Sequence, residues 1–314
     1  MTYQTSPLEE LARGRRGRLR RLKEVPVLPS LVTLGNLFFG FLAMSKVADA
    51  LRQTTPGDGF AAVMPYFELA VILVFVAMVF DALDGRVARM TGQTTAFGAQ
   101  LDSLADMVTF GVVPAFLAKQ LIDWHAQNDV NNLLPVHPKL FYAAAAVYVA
   151  GAALRLARFN VETGADEEDH RQFKGLPSPA AAAVVCALVA MFCTRDQGSA
   201  AIGHWLLGTD GYDLIVRAMP GVVALLGLLM ISNVPYPHAV YTLVKGRHSM
   251  PFLGGLVVLI IIAALEWQLA LAACTIGYVL WGMAVGLWRA MFRRGGDDGD
   301  DDAESTPRAT PSRN

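Results

Sequence analysis

Four aspartates fall within one short stretch of the chain, and their spacing predicts that they lie on two neighbouring helices. Asp81 and Asp84 are three residues apart and therefore share one face of a helix. The stretch "TGQTT", which contains Gly92, interrupts that helix, and Asp102 and Asp106 then share a face of the next one. Each helix of this hairpin is thus expected to present a pair of carboxylates at the same end of the molecule.

Carboxylates gathered in this way require cations between them. A charged aspartate in the middle of a membrane helix costs about 2.5–3.5 kcal/mol on insertion scales, and four unpaired carboxylates would also repel one another. Sites rich in carboxylate and free of imidazole suit hard cations such as Mg²⁺ or Mn²⁺. Two such ions about 3.5–4 Å apart form a clamp used in phosphoryl transfer. Solvated helix ends would explain one or two aspartates, but not all four.

Glycines and an arginine beside the aspartates suit a phosphate-bearing ligand. Gly85 and Gly98 have no side chain, so a ligand can approach the backbone closely at both positions. Arg89 supplies a fork-shaped donor for phosphate oxygens. Thr94 or Thr95 is predicted to cap the second helix of the hairpin.

The composition indicates which elements position these residues. Of the 314 residues 54% are hydrophobic and only 17% are charged, which is typical of a polytopic membrane protein. A membrane-spanning helix needs about 20 apolar residues, and about eight segments qualify. They lie near 29–50, 66–90, 99–121, 139–160, 178–194, 213–234, 250–266 and 268–290. The sequence therefore predicts an all-α integral membrane protein, a bundle of about eight transmembrane helices.

The loop charges predict how the bundle is oriented. Basic residues occur before the first span, in every second loop and after the eighth span, whereas the intervening loops hold few. Under the positive-inside rule both termini and the aspartates face the cytosol. We divide the chain into a basic cytosolic arm (1–24), a membrane domain (25–290) and a disordered acidic tail (291–314). Two interpretations explain the basic residues of the arm equally well: the arm binds anionic lipid headgroups, or it serves only as a topology signal.

Other kinds of site find little support in the sequence. Cys186, Cys193 and Cys274 lie in apolar segments without a Cys-x-x-Cys spacing, so we expect core residues rather than a disulfide or a zinc site. The six histidines are scattered and form no paired ligand motif. We expect neither a cleaved signal peptide nor a nucleic-acid partner.

The aspartate stretch resembles the signature of the CDP-alcohol phosphatidyltransferase family. The matching positions are Asp81, Asp84, Gly85, Ala88, Arg89, Gly98, Asp102 and Asp106. The resemblance implies a homodimeric helical bundle around a polar cavity open to the cytosol. It implies that the first three aspartates bind metal, and that Asp106 is the general base and also contacts metal. The residues predicted to bind the CDP moiety are Thr33, Asn36, Gly85, Arg89, Thr95 and Gly98.

Further stretches resemble the phosphatidylserine synthase branch of that family. "LPSLVTLGNLFFGFLAM" (28–44) carries the predicted nucleotide contacts of the first span, and "RLARFNVETG" begins a second similar stretch (155–182). The predicted acceptor-binding residues are Arg155, Arg158, Asn160, Lys174 and Ser178. Their cations suit the carboxylate of an amino acid. A third similar stretch, "SNVPYPH" (232–238), is interpreted as a helix break.

The function implied is transfer of the phosphatidyl group from CDP-diacylglycerol to L-serine, giving phosphatidylserine and CMP. We expect two Mg²⁺ or Mn²⁺ ions and a location in the bacterial inner (plasma) membrane. Glycerol 3-phosphate and inositol phosphate remain alternative acceptors, because arginines also suit phosphate. A transporter or channel with a carboxylate site is a rival, but it would need acids near mid-membrane on several spans, and inverted repeats.

Overall fold

Every regular element in the described part of the chain is a helix or a helical turn. The computed structural model describes residues 27–53, 59–91, 95–128, 138–162, 175–196, 202–234, 236 and 250–292. Its elements in chain order are α1 (Val27–Gln53), α2 (Phe60–Thr91), α3 (Ala96–Asp106), a π-helical turn (Met107–Val112), α4 (Val113–Asn128), α5 (Pro138–Glu162), α6 (Ser178–Cys193), a 3₁₀ turn (Thr194–Asp196), α7 (Ile202–Ile231), α8 (Met250–Leu265) and α9 (Trp267–Phe292). The predicted all-α fold is confirmed.

Among the described residues, six helical stretches are long and apolar enough to cross a membrane. They are Val27–Gln53, Phe60–Thr91, Ala96–Gln127, Lys139–Val161, Gly211–Ile231 and Trp267–Gly286. The other two predicted spans, 178–194 and 250–266, form α6 and α8, which have 16 residues each. At 1.5 Å per residue such a helix is about 24 Å long, shorter than the roughly 30 Å hydrocarbon core. The count of eight spans is therefore not confirmed. The predicted arm lies outside the described residues, and so does the predicted tail after residue 292, where α9 ends.

The short helix α6 occupies the centre of the bundle. Thirteen of its residues are buried, and it packs against α2, α4, α7 and α9. Cys186 and Cys193 are buried free thiols on this helix, while Cys274 is a free, exposed thiol. The predicted core role of the first two cysteines is confirmed, and none of the three forms a disulfide.

Helices α5 and α7 approach each other so closely that their crossing requires glycine. A Cβ atom added to Gly151 would lie 2.3 Å from the backbone oxygen of Gly227. A Cβ atom added to Gly227 would lie 2.7 Å from the Cα atom of Tyr148. Small residues allow such backbone contacts between membrane helices. The crossing fixes α5, which carries Arg155, in the bundle.

The hairpin of α2 and α3 forms as the sequence predicts. Helix α2 ends at Thr91, and α3 begins after Thr95, whose side-chain oxygen accepts a hydrogen bond from the backbone N–H of Gly98 at 3.1 Å. Of the two predicted caps, Thr95 is therefore the one used. Helix α1 packs along α2 and also against α3 and the π-helical turn. These contacts bring the aspartate-bearing ends of α2 and α3 together beside α1.

Candidate active site

Three of the four aspartates converge. Asp81, Asp102 and Asp106 each offer a carboxylate oxygen, and these oxygens all lie within 4.8 Å of one another. Asp84 is not part of that group. It is 7% exposed and borders, together with Asp102, the adjoining cavity. The predicted meeting of carboxylates from two helices is thus found for three residues, with the fourth beside them.

The donor set fits a divalent cation. Oδ2 of Asp84 and Oδ1 of Asp102 are buried and have no hydrogen-bond partner among the residues that the structure describes. Buried carboxylate oxygens ordinarily have a partner, since leaving one unsatisfied is costly. Oxygen atoms from several carboxylates are the ligands that Mg²⁺ and Mn²⁺ prefer. Asp81, Asp84, Asp102 and Asp106 are accordingly the residues able to hold such ions.

Asp106 is oriented by Asn36 of α1. The Asn36 amide nitrogen donates to Oδ1 of Asp106 at 3.2 Å, and Asn36 is fully buried. Thr109, in the π-helical turn, donates its hydroxyl to the Asn36 backbone oxygen at 3.3 Å. Gly40 packs against the same threonine so closely that a Cβ atom would lie 2.5 Å from Oγ1. Helix α1 and the π-helical turn therefore fix the carboxylate of Asp106.

A cavity of about 240 Å³, here called the hairpin cavity, lies between α1 and the α2–α3 hairpin. Four of the residues predicted to bind CDP line it: Thr33, Gly85, Thr95 and Gly98. A Cβ atom added to Gly85 would meet no described atom within 4 Å, so this glycine leaves space for a ligand. Two other predicted contacts, Asn36 and Arg89, do not line it. The Arg89 Nε instead donates to the Gly85 backbone oxygen at 3.0 Å.

Ser30 also lines the hairpin cavity, and the sequence interpretation missed it. Its hydroxyl oxygen is buried without a hydrogen-bond partner in the described part of the chain. Thr33, one turn further along α1, donates its hydroxyl to the Pro29 backbone oxygen at 3.1 Å. The three-residue spacing of Ser30 and Thr33 was a signal that could have identified the serine.

A second cavity, of about 330 Å³ and here called the tyrosine cavity, adjoins the converged aspartates. Asp102, Asp106, Arg155, Tyr236 and Tyr278 are among its lining residues. Asp102 borders both cavities, so the two meet at the aspartates. A ligand in the hairpin cavity and a ligand in the tyrosine cavity would therefore meet beside the same carboxylates.

The predicted acceptor residues lie at different distances from this cavity. Arg155 lines it and donates to the hydroxyl of Ser178, which is itself fully buried. Asn160 exchanges hydrogen bonds of 3.1 and 3.2 Å with Ser103, another lining residue. Arg158 does not line it and donates to Asn233 at 2.9 Å. Lys174, the remaining predicted acceptor residue, lies outside the described residues.

Comparison with known proteins decides the family. The model of the CDP-alcohol phosphatidyltransferase family matches residues 26–216, which include all four aspartates and every residue that lines the hairpin cavity. The chain belongs to this family. The resemblance stated from the aspartate signature is thereby confirmed.

Several curated relatives carry more specific names. The chain is 35% identical over 172 residues to the CDP-diacylglycerol–serine O-phosphatidyltransferase of Helicobacter pylori strain J99, covering 55% of this chain and 62% of the relative. It is 34% identical over 165 residues to the protein of the same name from Methanocaldococcus jannaschii, covering 52% and 62%. It is 30% identical over 196 residues to the archaetidylserine synthase of Methanothermobacter thermautotrophicus, covering 60% and 68%. The chain thus spans less than two thirds of the length of the first two relatives.

The family match does not reach two residues of the tyrosine cavity. Tyr236 follows the end of α7, and Tyr278 belongs to α9, both beyond residue 216. The stretch that contains Tyr236 was interpreted only as a helix break, which is confirmed, since α7 ends at Ile231 and Ser232–Val234 are not helical. Spacing gave no signal that this break brings a tyrosine beside Asp106, because the contact depends on packing between distant elements.

Proposed function

We propose that this member of the CDP-alcohol phosphatidyltransferase family transfers the phosphatidyl group of CDP-diacylglycerol to the hydroxyl of L-serine, forming phosphatidylserine and CMP. One observation carries the proposal: carboxylates of Asp81, Asp102 and Asp106 converge where two cavities meet. The names of the relatives support serine as the acceptor. The hairpin cavity takes the CDP moiety, and the tyrosine cavity takes the acceptor.

The four aspartates hold two divalent cations, Mg²⁺ or Mn²⁺. When bound, such ions neutralise the pyrophosphate and the negative charge that develops on the leaving CMP. The carboxylate oxygens of Asp84 and Asp102 that have no hydrogen-bond partner within the described ranges support this assignment. An arrangement of acids at one end of one hairpin supports an enzyme site over the rival transporter interpretation, which calls for acids on several spans.

Asp106 acts as the general base. Its carboxylate accepts the proton of the serine hydroxyl as that oxygen attacks the phosphorus on the diacylglycerol side of the pyrophosphate. The new P–O bond forms as the bond from that phosphorus to the CMP oxygen breaks, and CMP leaves with the electron pair. Asn36 keeps the base in position through its hydrogen bond to Oδ1, so the carboxylate does not need to reorganise during the reaction.

The charge of the tyrosine cavity supports an amino-acid acceptor. Among the described residues that line it, Arg155 is the one that carries a positive charge. One guanidinium matches a single carboxylate, whereas a phosphate monoester carries nearly two negative charges near neutral pH. Glycerol 3-phosphate and inositol phosphate are therefore the alternative acceptors for this cavity, and the assay described below distinguishes them from serine.

We further propose that the protein is a homodimer of the bacterial plasma membrane, with both termini and the aspartates on the cytosolic side. The alternation of basic loops supports this orientation. Labelling of single cysteines introduced beside Arg86 and near Asp210 in intact cells checks it, because only the latter position should react with an impermeant reagent. Crosslinking of purified protein in lipid nanodiscs checks the dimer.

The activity is tested with purified full-length protein, CDP-diacylglycerol, Mn²⁺ or Mg²⁺, and a panel of serine, glycerol 3-phosphate and inositol phosphate. We expect CMP release and phosphatidylserine formation with serine, and loss of both when a chelator removes the metal. The matched protein control is Asp81→Asn, which should release no CMP under any condition. Release of CMP with a phosphorylated alcohol and not with serine would contradict the proposed acceptor.

A further inference from the structure

The segment that follows α7 is held against the start of α6. Gly175 donates its backbone N–H to the oxygen of Val234 at 2.9 Å, and Leu176 donates to the oxygen of Leu229 at 3.1 Å. Gly175 has a φ of 92°, and a Cβ atom there would lie 2.5 Å from a backbone oxygen of α7. Only glycine fits this conformation and this space. The two segments therefore form one fixed unit at the aspartate end of the bundle.

The ring of Tyr236, which this segment carries, is fixed by α9. A Cβ atom added to Gly282 would lie 2.2 Å from the Cδ1 and Cε1 atoms of this ring. The centroids of the Tyr236 and Tyr278 rings are 6.1 Å apart, within the range of aromatic contacts. Tyr236 is only 6% exposed. The hydroxyl of this tyrosine therefore has little freedom to move.

That hydroxyl is an available hydrogen-bond donor. It is buried and has no hydrogen-bond partner among the described residues, although buried tyrosine hydroxyls usually have one. Tyr236 lines the tyrosine cavity together with Asp106 and Arg155. Burial, and to a lesser degree Tyr278, raises the pKa of Tyr236 to about 12, so the phenol keeps its proton. A ligand in the cavity is the natural acceptor for this donor.

We propose that Tyr236 donates a hydrogen bond to the carboxylate of the acceptor alcohol and makes the tyrosine cavity selective for an amino acid. This inference rests on the proposed function. The acceptor's hydroxyl must reach Asp106 of α3, so its anionic group points toward the donors from other elements, Arg155 of α5 and Tyr236. A neutral donor adds a hydrogen bond without adding a second charge, which suits a monoanion.

The test compares Tyr236→Phe with Tyr212→Phe in the purified full-length protein. Phenylalanine keeps the ring that packs on Gly282, and Tyr212 is a fully buried tyrosine whose hydroxyl lies 3.0 Å from that of Thr194, away from the site. The kinetic constants are measured for L-serine, for ethanolamine, which lacks the carboxylate, and for CDP-diacylglycerol. Melting temperatures show whether both variants fold.

In Tyr236→Phe we expect the KM for serine to rise about tenfold or more, the usual effect of losing a hydrogen bond to a charged group. The KM for CDP-diacylglycerol and the rate with ethanolamine should change less than about twofold. Tyr212→Phe should behave as the wild type with all three substrates.

An unchanged KM for serine in Tyr236→Phe would overturn the proposal, and so would an equal loss with ethanolamine or a parallel rise in the KM for CDP-diacylglycerol. If the wild type instead uses a phosphorylated alcohol, the proposed function fails while the role of Tyr236 is still decided. In that case an unchanged KM for the phosphorylated alcohol in Tyr236→Phe would reject the role of Tyr236 in binding the acceptor. Use of a phosphorylated alcohol by the wild type would itself reject the proposed selectivity for an amino acid.

Discussion

The two ends of the bundle differ in how their buried polar groups are satisfied. At the aspartate end, Asp84, Asp102 and Tyr236 each bury a polar atom that has no hydrogen-bond partner in the described residues. The other end lies about 30 Å away, as measured by the helical rise along α2. There Arg195 pairs with Asp213 at 3.0 Å, and the hydroxyls of Thr194 and Tyr212 lie 3.0 Å apart. Among the described residues, Arg217 of α7 also buries an atom without a partner, but most such atoms surround the aspartates. Because unsatisfied polar atoms are costly, this concentration indicates where ligands bind.

The far end is built for packing. The ring of Phe60, which begins α2, lies 5.0 Å from that of Trp124 and 4.8 Å from that of Phe192, measured between centroids. Glu266 accepts hydrogen bonds from the first backbone N–H groups of α7, including Gly203 at 2.9 Å. These contacts satisfy a helix start and fill the interior. Substitutions at the two ends should therefore separate activity from stability.

The largest expected effect is that of Asp106→Asn. The amide cannot take the serine proton, so kcat should fall by about 10²–10⁴-fold, the usual contribution of a general base. Binding of CDP-diacylglycerol, measured by equilibrium binding to the purified protein, should be largely retained. The matched variant at the far end is Asp213→Asn, which should keep its activity. Near-normal turnover by Asp106→Asn would remove this residue from its assigned role.

A smaller effect on activity is expected for Asn36→Leu, which removes the donor to Asp106 but fills similar space. We expect kcat to fall about 10- to 100-fold, as for loss of a hydrogen bond to a charged group, with both KM values little changed. Steady-state kinetics measures the split. A rise in the KM for CDP-diacylglycerol without a fall in kcat would instead support the nucleotide contact predicted from the sequence.

Gly85→Leu tests the hairpin cavity. Because no described atom lies within 4 Å of an added Cβ, the variant should fold, but its side chain should occupy space meant for the nucleotide. We expect the KM for CDP-diacylglycerol to rise about tenfold, with the KM for serine unchanged. Gly221→Leu is the control, since Gly221 of α7 also has open space around it and lies outside both cavities. Equal effects of the two substitutions would contradict the assignment of this cavity.

The smallest effect on activity is expected at the far end. Arg195→Ala breaks the pair with Asp213, in which both side chains are partly exposed, and should lower the free energy of unfolding by about 1 kcal/mol or less. The rate of CMP release at a temperature well below the melting temperature should not change. A loss of activity without a loss of stability would show that the two ends are coupled.

How much of the structure the sequence could predict depends on how far apart the interacting residues lie along the chain. Helical periodicity placed Asp81 and Asp84 on one face and Asp102 and Asp106 on another, and Thr95 was among the predicted caps. These are local features, and the family signature strengthened them. Hydropathy found every described apolar helix, but it counted α6 and α8 as membrane spans, although each has only 16 residues.

Contacts between distant elements could not be predicted. The sequence does not indicate that Asn36 contacts Asp106, because this contact depends on how α1 packs on the π-helical turn. The residues of that turn, "MVTFGV", include none that indicates a π-helical conformation. Tyr236 reaches the site only because Gly175 and Gly282 leave room for a tight fit between three elements. Close packing of this kind is a property of the whole bundle and not of any local pattern.

Binding of Mn²⁺ to the purified protein tests the central claim most directly. Electron paramagnetic resonance counts free Mn²⁺ during a titration, with Asp81→Asn and Asp102→Asn as the matched variants. We predict two bound ions per chain in the wild type, displaced by excess Mg²⁺, and weaker or lost binding in both variants. A wild type that binds no more Mn²⁺ than the variants would contradict the claim that these aspartates form a metal site.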